Sequence, residues 1–371
     1  MIILDIALYS LIVVVLIQVF FLLHVFGKLA FFKPKSVVTN SKAPVSVIIC
    51  AKNEAENLKL FLPSVIRQEY ENFQIVLIND GSHDDTLEVM EDFSKSHQNI
   101  KIVNVEPVEI FWGNKKYPLT LGIKAAEHNI LLFTDADCKP LSKYWIRAMV
   151  SNFNPETSIV LGYGAYSKIK NSLLNKLIRF ETLIAAISYF SLAKIGMPYM
   201  GVGRNLAYTK AQFFKVNGFM KHMNIHSGDD DLFINEAATN SNTRICISPD
   251  SFTTSVPKMS LKSWIRQKRR HISTAKHYKL SHKIILTLFY TSSFLFWLLS
   301  VVLLAFWHFP IVVCLLILIR LVSQFSSYGL SAKKLNETDL ILLLPVLELF
   351  LIVSQLAIFI SNIISKPNHW K

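Results

Sequence analysis

Apolar positions follow two regimes along the chain. At the ends they run almost uninterrupted: residues 6–26 hold His24 as the only acidic or basic side chain, and residues 284–306, 310–328 and 340–364 repeat the pattern. At about 1.5 Å per residue, roughly 20 such residues cross a ~30 Å hydrocarbon core. Four transmembrane helices are expected. Between them the apolar runs shorten to strand length, at residues 45–51, 73–78, 100–105 and 130–134, and amphipathic patterns of helical period separate them. Strands that are apolar on both faces and alternate with helices predict a parallel, right-handed βαβ sheet covered on both sides. The fold class expected is therefore α/β, a Rossmann-like and mostly parallel sheet, with flanking transmembrane helices.

Open α/β sheets take ligands just beyond the carboxyl ends of their strands, and polar clusters stand there after three of the four runs. Asp135 and Asp137 follow the fourth. Two carboxylates one residue apart can approach one hard divalent cation, Mg²⁺ or Mn²⁺, which binds phosphates with its remaining positions; a solvated turn is the plainer alternative. Asn53 and Glu54 follow the first run, with Asn53 expected as a helix N-cap. Asn79-Asp80-Gly81-Ser82 follows the second. Lys115, after Gly113-Asn114, is placed to reach a diphosphate, against the commoner role of a solvated lysine. Gly201 and Gly203 could admit a ligand close to the backbone. Three consecutive acids, Asp229, Asp230 and Asp231, precede a helical run. Capping explains one acid at a helix start, whereas like-charge neighbours raise one pKa and make a better general base. Residues 167–195 read as a helix lying on a membrane surface or packed on the sheet.

The net charge of +13 raises the question of nucleic acid, but the basic residues gather beside the apolar segments, where anionic lipids and phosphorylated substrates explain them. Nucleic acid is excluded on that ground. Residues 258–283 carry nine Lys and Arg and no acid. Lys28, Lys33 and Lys35 after the first span, and Lys333-Lys334 before the last, place the central domain in the cytoplasm by the positive-inside rule. Arg320, inside the third span, reads either as a functional intramembrane charge or, near the cytoplasmic end, as a residue that snorkels to the interface. The sequon Asn336-Glu337-Thr338 then falls on the cytoplasmic side and reads as chance. Four scattered cysteines, without a CxxC pair, read as reduced thiols, buried in the central domain.

With these residues in place, the chain resembles the membrane-embedded members of glycosyltransferase family 2 over residues 44–275. Residues 45–57 look like the family's first strand and its turn ending in Asn-Glu, Asp80 like its second-strand aspartate, Asp135-Ala136-Asp137 like its DxD motif and Asp229-Asp230-Asp231-Leu232 like its acidic motif. Gln267-Lys268-Arg269-Arg270-His271 resembles Q-x-x-R-W, with His271 in the tryptophan's place, and Gly228 stands where an acid usually precedes the base. The resemblance implies a GT-A fold and an inverting transfer from a nucleotide-sugar donor, UDP-linked by expectation, to a lipid-linked or saccharide acceptor. It implies metal on Asp135 and Asp137, donor contacts from Asn53, Glu54, Asp80, Lys115, Asp135, Gln267, Arg270 and His271, Asp229 as base with Asp230 in reserve, and Arg270 stabilising the leaving diphosphate. A processive polysaccharide synthase is the alternative enzyme, and a catalytically inactive scaffold or sugar-nucleotide binder the alternative of another class.

The organisation expected is a first span in residues 1–30, a linker at 31–43, the catalytic domain at 44–257, a basic interfacial segment at 258–283, three spans in 284–364 and a tail at 365–371. The protein is expected in the cell membrane, in contact with membrane lipids. The sugar, the acceptor and the oligomeric state are left open.

Overall fold

A computed structural model describes residues 1–33, 42–106, 115–225 and 227–364. Gly113, Asn114, Lys35 and the tail lie outside the described residues. The chain divides into two compact units. One comprises Gly196–Lys258 and the described part of Pro34–Ile169, the other Met1–Lys33, Lys170–Ile195 and the described part of Met259–Lys366.

The first unit is built on strands β1 (Val45–Ala51), β2 (Phe73–Asp80), β3 (Ile100–Val105), β4 (Ile130–Phe133), β5 (Cys138–Pro140), β6 (Ile159–Leu161), β7 (Gly164–Tyr166), β8 (Leu206–Thr209), β9 (Thr243–Ile245) and β10 (Thr253–Ser255). Seven of them form one sheet in the order β3-β2-β1-β4-β8-β6-β9, and β5-β10-β7 form a second. The four strands expected from the sequence are the parallel half of the large sheet, with β1 flanked by β2 and β4. The other half was not expected. There β8 runs antiparallel to both β4 and β6.

Central position accounts for the apolar runs. Val45, Val47 and Ile49 of β1 pack with Ile75 and Leu77 of β2 and with Leu58 and Leu62 of the helix Ala55–Ile66 in one core. Each such side chain contributes roughly 1.5–3 kcal/mol when fully buried. The helix Lys116–Ala125 lies against the sheet at Gly122, where a Cβ would stand 2.1 Å from Ile78 Cδ1. Asn53 is not the N-cap of the helix that follows β1. The helix begins after Glu54, and Asn53 takes a left-handed conformation with φ 56°. Strand β2 continues through Asn79 and Asp80, two residues beyond its apolar run.

The second unit contains four helices long and apolar enough to cross a membrane, Ile2–Ala30, Leu280–Ala305, Pro310–Lys334 and Thr338–Ile364. The helix Leu173–Lys194, expected on the sheet or on a membrane surface, packs among them. Its Arg179 is buried and donates to the carboxylates of Glu337 and Asp339. The sequon residue Glu337 thus has a structural occupation. Arg320 does not snorkel: it is wholly buried, and its Nη2 donates to Glu348 and to Gln18 Oε1. Of the cysteines in the first unit, Cys138 and Cys246 are buried and Cys50 half-buried. Cys314 is exposed, and all four are free thiols.

Candidate active site

The carboxyl ends of β1, β2 and β4 point the same way because the strands are parallel and in register, with Ala51 opposite Asn79 and Ile48 opposite Phe133. The turns that leave β1 and β2 are stitched together by side chains. Asn53 accepts from the His83 amide at 2.8 Å, its own amide donates to Ser82 Oγ at 3.0 Å, and the Glu54 amide donates to Thr86 Oγ1 at 2.8 Å. The left-handed Asn53 is what brings these groups into reach. Its side chain therefore works in the fold of the rim. Glu54 also bonds Asn57, and burial followed by the charges of Asp137 and Asp135 outweighs that bond and raises its pKa.

Asp80 ends β2 with its carboxylate partly buried and Lys52 Nζ 3.9 Å away, and burial raises its pKa. Asp135 follows β4 and pairs with Lys115 Nζ. The same ammonium lies 3.7 Å from Asp229 Oδ2. Burial would strip the proton from Lys115, yet Asp135 and Asp229 outweigh it and hold the ammonium charged well above the usual lysine range. Lys115 thus joins the turn after β4 to the acidic segment, residues distant in sequence. Phe133 and Tyr208, stacked at 4.4 Å between ring centroids, line the same cleft as Cys50, Lys115, Asp135 and Asp229.

The three acids before the helix Asp231–Ala237 divide their work. Asp230 caps it, accepting from the Gly203 amide through Oδ2 and from the Asp231 amide through Oδ1, each at 2.7 Å. Burial, then the neighbouring Asp229 and Asp231, raise the Asp230 pKa to about 7. Asp231 is buried and turns Oδ1 to the Leu232 amide. Asp229 is left with Lys115 and the cleft. Gly203 serves this arrangement through its amide, and Gly201 is packed against Leu161, Leu206 and Ile234. Gly228 has φ 97°, and a Cβ there would meet Leu232 Cδ1 at 2.5 Å. That conformation accounts for the missing acid at this position, since side chains rarely adopt it.

Lys116 was not singled out by the sequence. It is almost fully buried, and its ammonium donates to the carbonyls of His222, Ile225 and Ser227 at 2.7, 2.9 and 2.8 Å. It fixes the strand of chain that delivers Asp229. Gln267, Arg270 and His271 lie on the helix Leu261–Ile272 in the other unit, where neighbouring Lys268 pairs with Glu181 and Arg269 bonds Asn362.

Ligand atoms of Asp135, Asp137 and Cys138 lie within 4.8 Å of one another. The donor set fits a hard divalent cation. Two carboxylates supply oxygen, and burial, then Asp135, raises the pKa of Asp137, the condition a bound cation relieves. The Cys138 thiol is pushed well up by burial and donates to Asp137 Oδ1 at 3.2 Å, so it orients a carboxylate without competing as a thiolate.

Residues 46–199 match the model of "Glycosyl transferase family 2". The chain carries a family 2 glycosyl transferase domain. Asp80, Asp135 and Asp137 fall inside the matched segment, and Asp229 beyond it. The chain is 32% identical over 147 residues to a poly-beta-1,6-N-acetyl-D-glucosamine synthase of Staphylococcus epidermidis, an alignment covering 38% of this chain and 34% of that one. It is 30% identical over 119 residues to the glycosyltransferase AglE of Haloferax volcanii, covering 32% and 38%. The chain thus spans about a third of the length of the curated relatives it matches. A solved mannosyltransferase from Pyrobaculum calidifontis, in complex with GDP-Man and Mn²⁺, superposes with TM-score 0.59 at 17% identity over 90% of this chain and 98% of that one. The glycosyl transferase domain has the GT-A fold, a mixed α/β layer with a mostly parallel sheet.

Proposed function

We propose that the protein is an inverting glycosyltransferase of the cell membrane that moves a sugar from a nucleoside-diphosphate donor to the hydroxyl of a lipid-linked or saccharide acceptor. The observation that supports this reading is the position of Lys115 Nζ between Asp135 and Asp229, two carboxylates that line one cleft. The relatives named as synthase and glycosyltransferase, and the neighbour with GDP-Man and Mn²⁺, support it.

Asp80 faces the base of the nucleotide, and Asn53 and Glu54 shape the rim over it. Asp135 and Asp137 would hold Mg²⁺ or Mn²⁺, which would offset charge on the diphosphate. Asp229 takes the proton of the acceptor hydroxyl as that oxygen bonds to the anomeric carbon from the face opposite the diphosphate. The bond from carbon to phosphate oxygen breaks, and its electron pair leaves with the nucleoside diphosphate. Lys115 then has a second use. Its ammonium stabilises charge that grows on the leaving oxygen, an interaction stronger in the transition state than in the bound donor. Arg270, Gln267 and His271, on the helix Leu261–Ile272, keep on this reading the donor contacts the resemblance implies. The four long helices cross the bilayer with the glycosyl transferase domain in the cytoplasm, as Lys28, Lys33, Lys333 and Lys334 direct.

The test is release of nucleotide by the purified protein in nanodiscs, over a panel of nucleotide sugars with Mg²⁺ or Mn²⁺. Asp229→Asn should abolish release while donor binding persists, and Asp137→Ala or EDTA should weaken binding of the donor itself. Full turnover by Asp229→Asn would remove the base assignment.

A further inference from the structure

The third long helix of the helical unit is amphipathic inside out. Leu315, Leu318, Ile319 and Val322 are each more than half exposed on its outer face, while Arg320, Gln324, Ser327 and Ser331 are fully buried. The spacing of four, three and four residues keeps the polar set on one face of the helix. It runs from the middle of the helix toward the Lys333-Lys334 end. A π-helical segment, Phe325–Gly329, widens the turn in the middle of the stripe; such bulges frequently mark functional positions.

The hydrogen-bond accounting of this stripe does not close within the protein. Arg320 spends Nη2 on Glu348 and Gln18, but Nε and Nη1 have no partner, and neither do either end of the Gln324 amide or the hydroxyls of Ser327 and Ser331. Ser300 Oγ, on the second long helix, is buried and unpartnered as well. Unsatisfied polar groups in an apolar setting cost roughly 2–7 kcal/mol each, and natural structures place a partner against them. The charge is already balanced, since Glu348 accepts from Arg320 and from Trp297 Nε1 at 3.1 Å. What remains unmet is two guanidinium N–H groups and a row of neutral amide and hydroxyl groups beyond them.

We propose that this stripe is a binding site, inside the helical unit, for hydroxyl groups in series, each of which both donates and accepts. Two sources share that chemistry: ordered water, and the glycerol or sugar head group of an amphiphile. An anionic head group fits less well because the guanidinium is paired. The inference stands on the burial of these atoms and is independent of the transfer chemistry above.

Phe296 reports on the site, because its ring lies 4.9 Å from the Arg320 guanidinium carbon and is itself fully buried. Synchrotron hydroxyl-radical labelling of the purified protein, read by mass spectrometry, should oxidise Phe296 several-fold faster than the outward Phe350 if bound water fills the stripe. If a head group fills it, native mass spectrometry should instead retain a glycolipid or glycerolipid through detergent exchange. In either case Gln324→Leu/Ser327→Ala/Ser331→Ala, which leaves the Arg320–Glu348 pair intact, should lose the signal, and Gln324→Leu alone should lessen it should the triple variant fold poorly. Phe296 labelled no faster than Phe350 together with no retained lipid would overturn the proposal. So would a triple variant that keeps both signals unchanged.

Discussion

Lys116 offers the perturbation that best separates holding Asp229 from being Asp229. Its side chain is 1% exposed, and it reaches 106 to 111 residues along the chain to three carbonyls. Three acceptors require three N–H donors, which among lysine's states only the ammonium supplies. Burial lowers its pKa to about 8, so the charge is present at neutral pH. Lys116→Met keeps the length and removes every donor. An orphaned buried carbonyl costs ~1–3 kcal/mol. The three residues bearing these carbonyls are half-buried, so water recovers part of the loss and a total of about 2–4 kcal/mol is expected. For a unit of this size each kcal/mol moves Tm by about 2–4 °C, which gives a fall of about 5–15 °C by differential scanning fluorimetry.

The functional consequence is worked from the same bonds. Released from His222, Ile225 and Ser227, the segment entering Gly228 can shift, and a misplacement of about 1 Å at a reacting group costs about 100-fold in rate. Nucleotide release by Lys116→Met should therefore drop about 100-fold in kcat, while donor KM, set on the proposed reading by Asp80 and Asp135, changes little. Lys116→Gln, which keeps an amide donor, should recover part of both losses. Wild-type kcat and a Tm within about 2 °C in Lys116→Met would refute the reasoning, because three buried bonds to one segment would then be holding nothing.

Other expectations follow from neighbouring residues. Asp230, raised from 3.8 to about 7 by burial and then by Asp229 and Asp231, keeps its proton in the folded protein over a range where the unfolded chain has lost it. Its contribution to stability is complete below pH 3.8 and is lost as pH rises through about 7; chemical denaturation across that range should show the decline, and Asp230→Asn should flatten it. Gly228→Asp, which restores an acid to the family pattern, should instead lower kcat by about tenfold or more, because its Cβ would meet Leu232 Cδ1 at 2.5 Å in a left-handed conformation costing ~1–2 kcal/mol; faster transfer than wild type would contradict this. Arg179→Met takes the guanidinium from the Glu337 carboxylate, whose side chain is 2% exposed, and should cost ~3–5 kcal/mol in thermal unfolding of the detergent-solubilised protein. Arg179→Met/Glu337→Met should recover most of that, because the Asp339 side chain is 41% exposed and reaches water.

What was legible in the sequence was whatever sits in consecutive residues. The parallel half of the sheet declared itself because β1, β2 and β4 are buried on both faces, which forces unbroken apolar runs, and of the acids placed after such runs Asp135 lines the cleft. The antiparallel half was silent, because β6, β8 and β9 are only three or four residues long, too short for a period to show. Charged residues were visible as charges, but their partners were not: Arg320 was open to a snorkelling reading because Glu348 lies a helix away, and Glu337 read as part of a chance sequon because Arg179 is 158 residues distant. Lys115 and Lys116 bring the point to one peptide bond. They are identical in type and adjacent, at the start of the helix Lys116–Ala125, where successive side chains diverge by about 100°. One points between Asp135 and Asp229 and the other into the carbonyls that hold the Asp229 segment. Composition assigns both to a basic turn, and only the direction imposed by the helix start gives one to the acids of the cleft and the other to the segment that bears Asp229.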